Sequence, residues 1–173
     1  MIRPLTLALF LASAPLIAQQ APDPVVPPAP EQIEGPMTLE RMAQIVQALD
    51  PDVIASGPTL QFNIDAIPVI IVADATADRM RAMVPIASAE GLSAQDLMRM
   101  MQANFDTALD ARYAVANGRL WGVFIHPLSP LEQDQLISAL VQTVNVARSY
   151  GQTYSGGANI FGGGDSNGIY RDL

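Results

Sequence analysis

The chain has no cysteine and no lysine, and a single histidine and a single tryptophan among its 173 residues. Without thiols there is no disulfide, no thiolate nucleophile and no lipid attached through a lipobox cysteine. Stability must therefore come from a packed apolar core. One imidazole and no thiol would leave a structural zinc site to be built almost wholly from carboxylates, which such sites do not favour. Basic side chains are few as well, 9 against 17 acidic ones, for a formal charge of −8. Nucleic acids and anionic lipid surfaces are bound through clusters of Lys and Arg, so this balance argues against either as the main partner. Long hydrophobic runs are also missing. The run from Leu5 to Ala18 is broken by Thr6, Ser13 and Pro15, and it is shorter than the roughly 20 residues that a membrane-spanning helix needs.

That run follows Arg3 and ends at the small Ala18, the arrangement of a secretory signal peptide over residues 1–18. The expected location is the periplasm or the exterior, with no stable membrane anchor after cleavage; an uncleaved anchor is the alternative. Residues 19–37, QQAPDPVVPPAPEQIEGPM, contain six prolines and three acids. Proline fixes φ and removes a helix donor, so this segment is expected to be an extended spacer.

Beyond the spacer the apolar pattern changes period repeatedly. Thr38 is the expected N-cap of a helix whose Leu39, Met42, Ile45, Val46 and Leu49 recur at helical spacing, and Asp50 and Pro51 end it. Residues 59–65 alternate apolar and polar, which predicts a strand wet on one face. Ile67 to Val72 is apolar on both faces, and Pro68 suggests a strand at or near a sheet edge. Residues 79–86, RMRAMVPI, read as a third strand, because Pro85 would break a helix. Ser93 and Asp96 form a capping box for a second helix, along which Leu97, Met98, Met101, Phe105 and Leu109 make one apolar face. Asn117 and Gly118 then sit between two β-rich runs, the strongest short-range hairpin signal. Ser129, Pro130, Leu131 and Glu132 read as a capping box opening a last helix through Ala147, with Gly151 as its stop. The order α-β-β-β-α-β-β-α predicts an α+β domain over residues 38–154 with an antiparallel five-stranded sheet.

A two-residue loop at Asn117 and Gly118 fixes the hairpin register, with Ala116 facing Arg119, Ala114 facing Trp121 and Tyr113 facing Gly122. One face then holds Tyr113, Val115, Leu120 and Phe124, and the other holds Ala114, Trp121, Val123 and Ile125. Neither face is wet. Helices covering one side would leave an apolar patch on the other, and such patches mark interfaces.

Few motifs suggest chemistry. GGGDSNG at residues 162–168 has no following helix to bind phosphate, and a calcium loop centred on Gly168 would need a twelfth ligand past residue 173. It reads as part of a flexible Gly-rich tail over residues 155–173. His126 lies near Ser129, but no nucleophile elbow accompanies them, and a hydrogen-bonded histidine at the sheet rim is the simpler reading. Asp106 and Asp110, one helical turn apart, fit capping or pairing with Arg112 better than a catalytic carboxylate pair. Met80, Met83, Met98, Met100 and Met101 would suit Cu(I). Core packing is the simpler account, with Met98 and Met101 expected on the core face of the second helix.

The element order and the stretch NFDTALDARYAVANGRLWGVFIHPLSPLEQDQL (104–136) resemble YbjN-type domains, which are similar in fold to type III secretion chaperones. The shared pattern is Asn104 late in the second helix, then Arg112, Tyr113 and Ala114 opening a strand, the Asn117–Gly118 turn and a long closing helix. The resemblance implies a non-enzymatic domain that dimerises and binds polypeptide segments. The expected function is thus an exported, non-catalytic interaction or chaperone-like module, self-associating as a homodimer and needing no cofactor or metal. Its expected contact residues are Trp121, Val123, Ile125, Ala114, Phe105 and Met101. The alternative is a small periplasmic ligand- or metal-binding protein or hydrolase using His126 and its neighbours.

Overall fold

A computed structural model describes residues 34–157. The expected signal segment, the spacer up to residue 33 and the tail from residue 158 lie outside the described residues. Three helices, α1 (Leu39–Leu49), α2 (Ala94–Asp106) and α3 (Gln133–Arg148), accompany six strands. These are β1 (Ile54–Ser56), β2 (Thr59–Ile64), β3 (Ile67–Asp74), β4 (Arg79–Ser88), β5 (Arg112–Ala116) and β6 (Arg119–Pro127). They form one antiparallel sheet in the order β1-β2-β3-β4-β6-β5. The α+β reading holds, with six strands rather than five. The added strand, β1, is three exposed residues hemmed between Pro51 and the Gly57 turn, too short to show any period in the sequence.

Pro68 does not put β3 at an edge, because β3 lies between β2 and β4. The pairing with β4 starts only at Ile70, so Pro68 has a neighbouring strand on one side and no ladder bond to lose on the other. Pro85 is accommodated in a related way. It lies past Met83, where the pairing with β3 ends, and beside a register shift opposite β6.

Thr38 caps α1, and the Ser93–Asp96 box caps α2, as the sequence predicts. The start of α3 differs. Its N-cap is Glu132, boxed with Gln135. Ser129 is withdrawn from capping because its N–H and hydroxyl both donate to the Asp78 carboxylate, at 2.7 and 3.0 Å. Those bonds hold the Asp78 carboxyl below its ordinary range, the Ser129 backbone bond being the largest cause. Glu34 and Met37 also belong to the folded body: Met37 is buried, its N–H donates to the Ser129 carbonyl, and the Glu34 carboxylate accepts from the Gln133 N–H at the start of α3.

α1 and α3 lie on one face of the sheet. Met42 and Val46 of α1, with Leu136, Leu140 and Val144 of α3, pack on Leu60, Phe62, Val69, Ile71, Met80, Ala82 and Val84. Gly122 lets α3 approach the hairpin, since a Cβ there would lie 3.1 Å from the Thr143 carbonyl oxygen. A second cluster forms where α2 meets the hairpin, from Met100, Ala103, Ala108, Ala111, Tyr113, Leu120 and Val146. Tyr113 is its centre. The hydroxyl donates to the Val146 carbonyl at 2.7 Å, and its ring lies 5.8 Å from that of Tyr154 and 6.4 Å from that of Tyr150. The chain after α3 is tied to the same place: Thr107 Oγ1 donates to the Tyr154 carbonyl at 2.7 Å, and Gly156 N–H donates to the Thr107 carbonyl at 2.8 Å.

Burial pushes the Tyr113 phenol from 10.0 up to about 12, and burial also raises that of Tyr150. A phenol whose pKa is raised by folding stabilises the fold in its neutral form. That contribution is complete below pH 10.0 and is lost as the pH climbs toward about 12. Urea unfolding across this alkaline range is expected to show the loss, on the order of 2 kcal/mol for a shift of this size. Tyr113→Phe, which has no phenol to ionise at this position, is expected to show a shallower loss.

Candidate functional site

Cross-strand partners share a sheet face, so the register lists what the helices leave uncovered. One row across all six strands reads Ile54, Gln61, Ile70, Met83, Val123 and Arg112. The next reads Ser56, Thr59, Val72, Arg81 and Ile125, and a third holds Pro85, Trp121 and Ala114. The hairpin register is the one the Asn117–Gly118 turn predicts, with φ of 52° and 70° at these residues. Trp121, Val123, Ile125 and Ala114 therefore do lie together, on the face opposite α1 and α3. On the other side Phe124 lies in the core under α1 and α3, and Leu120 and Tyr113 pack with Met100 and Ala103 of α2 and Val146 of α3.

The uncovered face is apolar through Ile70, Val72, Met83, Val123 and Ile125, with Arg81 set between Val72 and Ile125 and Arg79, Arg112 and Arg119 toward the strand ends. Ile125 is 54% exposed, while Val72, Met83, Trp121 and Val123 are half-buried against one another. Val72, Met83 and Ile125 line a shallow groove of about 490 Å³ together with Arg79, Arg81 and Asp74. At the hairpin end, Trp121 Nε1 donates to the Ala116 carbonyl at 3.1 Å, and the Arg119 guanidinium lies 5.9 Å from the ring centroid. The indole is thereby tied to the hairpin end of the sheet.

Helix α2 corrects one expectation. Met98 and Met101 do not face the core; they are 70% and 66% exposed, and Phe105 is 66% exposed. The residues turned inward are Met100 and Ala103. Met100 and Ala103 pack with Tyr113 and Leu120. The broader apolar stripe of Leu97, Met101 and Phe105 is thereby left outward. Leu97, Met101, Tyr113, Ala114 and Val115 line one groove of about 390 Å³, so Met101 and the sheet residue Ala114 border the same surface.

Asn104 explains how α2 sits beside β5. Its Oδ1 accepts the Tyr113 N–H at 2.7 Å and its Nδ2 donates to the Tyr113 carbonyl at 3.1 Å. β5 is an edge strand, and the amide supplies at Tyr113 the pair of bonds that a further strand would make.

Of the residues of the hydrolase alternative, His126 and Asp110 line one groove of about 550 Å³ with Asp134 and Ser138, and Ser129 and Asp106 do not line it. His126 Nδ1 lies 2.8 Å from the Pro127 carbonyl, its ring stacks on Phe124, and the Ser129 hydroxyl is bonded to Asp78. Asp106 is buried and Asp110 exposed. The Asp110 N–H donates to Gln142 Oε1, and the Arg112 guanidinium donates to the Ala111 carbonyl. Among the described residues no group of three or more His, Cys, Asp or Glu is placed to hold a metal ion, and no helix is long and apolar enough to cross a membrane.

Sequence pattern missed Ile70, Val72, Met83 and the arginines of the uncovered face. The alternation in RMRAM does contain them: Met80 and Ala82 point to the helices, so Arg79, Arg81 and Met83 point away.

A chain from the crystal structure of the Yersinia pestis type III secretion chaperone SycH, in complex with a stable fragment of YscM2, matches with a TM-score of 0.50 at 18% identity, over 65% of this chain and 95% of that one. The fold is similar to that of a type III secretion chaperone. A chain from the HopA1–SchA chaperone–effector complex matches with a TM-score of 0.47 at 11% identity, over 63% of this chain and 95% of that one. No family model and no curated protein matches the sequence.

Replacing Asn104 with Ala is expected to leave the Tyr113 N–H and carbonyl unmatched at a partly buried edge and to cost roughly 1–3 kcal/mol. Urea unfolding measures the loss. Asn104→Asp keeps the acceptor but turns a carboxylate toward the carbonyl, and is expected to restore only part of it.

Proposed function

We propose that this protein is an exported, non-catalytic chaperone-like module that holds a partner polypeptide on its uncovered sheet face and pairs with a second copy of itself through α2. The observation behind it is the one-sided cover of the sheet. Among the described residues no helix lies over Val72, Met83, Trp121, Val123 and Ile125, while the opposite face of the sheet is packed into the core. Apolar sheet faces of this kind bind extended or helical segments whose side chains fill the spaces between strands. The fold shared with SycH, whose structure holds a fragment of YscM2, and the resemblance of residues 104–136 to YbjN-type domains support the same reading. Residues 1–18 support export.

Self-association is assigned to the outward stripe of α2, because Leu97, Met98, Met101 and Phe105 form a second exposed apolar surface beside an edge strand whose bonds at Tyr113 are already filled by Asn104. The hydrolase alternative has no nucleophile–base pair among the described residues, given the partners of Ser129 and His126.

A photo-reactive amino acid at position 121, introduced in cells that export the protein, is expected to trap one recurrent partner polypeptide; the same group at position 101 is expected to trap a second copy. A folded, exported protein that traps nothing from position 121, or traps only itself there, overturns the assignment of that face. Met101→Glu is expected to convert the dimer to monomer in sedimentation while leaving the product trapped from position 121 in place.

A further inference from the structure

The arginines of this acidic chain are not spread evenly. Of its nine, Arg79, Arg81, Arg112 and Arg119 all project from the uncovered sheet face, at the strand positions that alternate with core residues. Elsewhere Arg41 pairs with Glu34 and Arg148 with Asp65. None of the four on the sheet forms an ion pair among the described residues. Arg79 and Arg112 donate only to main-chain carbonyls, of Asp78 and Ala111, and Arg119 lies over Trp121. Asp74 is the acid on β3 at the margin of this face, opposite Arg79, and its Oδ1 already accepts the N–H groups of Thr76 and Ala77. Asp110 and Asp134 stand beside Arg112 and Ile125 in a second groove at the sheet end, so a chain of formal charge −8 gathers four cations on this face and keeps its acids to the rim.

Resting on the polypeptide-binding reading above, we propose that the segment held on this face is acidic and apolar, with carboxylates flanking a short apolar centre. Arg81 and Arg112 lie on either side of Ile125 and Val123, with β6 between their strands. Two strand spacings and a two-residue offset put their Cα atoms about 12 Å apart. An extended peptide covers that span in three or four residues, at about 3.4 Å each. Two acids separated by three apolar residues therefore match the pair, with the apolar side chains over Ile125, Val123 and Met83. Guanidinium groups suit such carboxylates because their donors are arranged in a fork.

A peptide is favoured over an anionic membrane by range. Screening confines fields to about 8–10 Å in physiological salt, so a short acidic segment meets only the local arginines. A flat anionic surface would also meet the acidic remainder of the domain.

The lone tryptophan makes the test direct, because Trp121 fluorescence reports on this face alone. The full mature chain is titrated with the heptapeptide Ser-Glu-Val-Leu-Val-Glu-Ser, with its counterpart carrying Lys in place of Glu, and with phosphatidylglycerol vesicles. The acidic peptide is expected to bind at least about tenfold more tightly than the basic one, equivalent to roughly 1.4 kcal/mol. The preference is expected to shrink as salt is raised. Arg81→Glu combined with Arg112→Glu, both exposed positions, is expected to reverse the preference with the circular dichroism unchanged. Equal binding of the two peptides, or an acidic preference that survives the double reversal, overturns the charge assignment while the polypeptide reading stands. Vesicles that bind and displace the acidic peptide overturn it in favour of lipid. Trp121 emission that responds to no peptide overturns both readings together.

Discussion

The architecture depends on α3 lying flat on the sheet across β4 and β6. That contact is closest at Gly122, where a Cβ would stand 3.1 Å from the Thr143 carbonyl and press on the helix backbone that seats Leu136, Leu140 and Val144 on the strands. Once α3 is seated, several groups acquire partners together. The Tyr113 hydroxyl reaches Val146, Gln142 reaches the Asp110 N–H, and Glu34 and Met37 are drawn onto the start of the helix and the loop before it. With α1 alongside, one sheet face is filled. No third helix of the described chain is left for the other face, since α2 is committed to the β5 edge by Asn104.

This division of labour between helices also explains what could be read from the sequence and what could not. The hairpin register was legible because turn chemistry determines it: Asn117 and Gly118 accept positive φ, and a two-residue loop allows one pairing. Helix caps at Thr38 and Ser93 were legible for the same reason, since capping is decided within four residues. The orientation of α2 was not. Its pattern contains a strong apolar stripe through Leu97, Met101 and Phe105, and periodicity alone assigns such a stripe to the core. Which stripe faces inward depends on the surface it packs against, and here Met100 and Ala103 pack with Tyr113 and Leu120. Ser129 failed as a cap for a comparable reason. Asp78, distant in sequence, claims both its donors.

Proline posed the same problem in strands. Pro68 and Pro85 each lie in a strand with neighbours on both sides, yet each falls where one neighbour's pairing has ended. A missing N–H matters only where a ladder bond would have been, and strand overlap is a property of the assembled sheet. Half of the proposed binding face was visible from the hairpin. The other half, Ile70, Val72, Met83 and the arginines of β4, required the β4–β6 pairing, which joins segments separated by α2.

The distribution of charge gives the uncovered face a character different from a plain apolar patch. An apolar surface alone would bind any greasy segment, including unfolded chains of every kind, and would favour aggregation of the protein itself. Arginines on it change the selection in two ways. They hold their charge in water next to the apolar strip, which keeps the free face solvated. They also penalise basic segments, and since specificity is a difference between affinities, repulsion widens it. The acidic remainder of the domain then acts in the opposite sense, repelling acidic chains everywhere except at this sheet. On the proposed reading a partner is directed to one surface by charge and retained by apolar contact, with Trp121 at the end of the strip as its largest anchor.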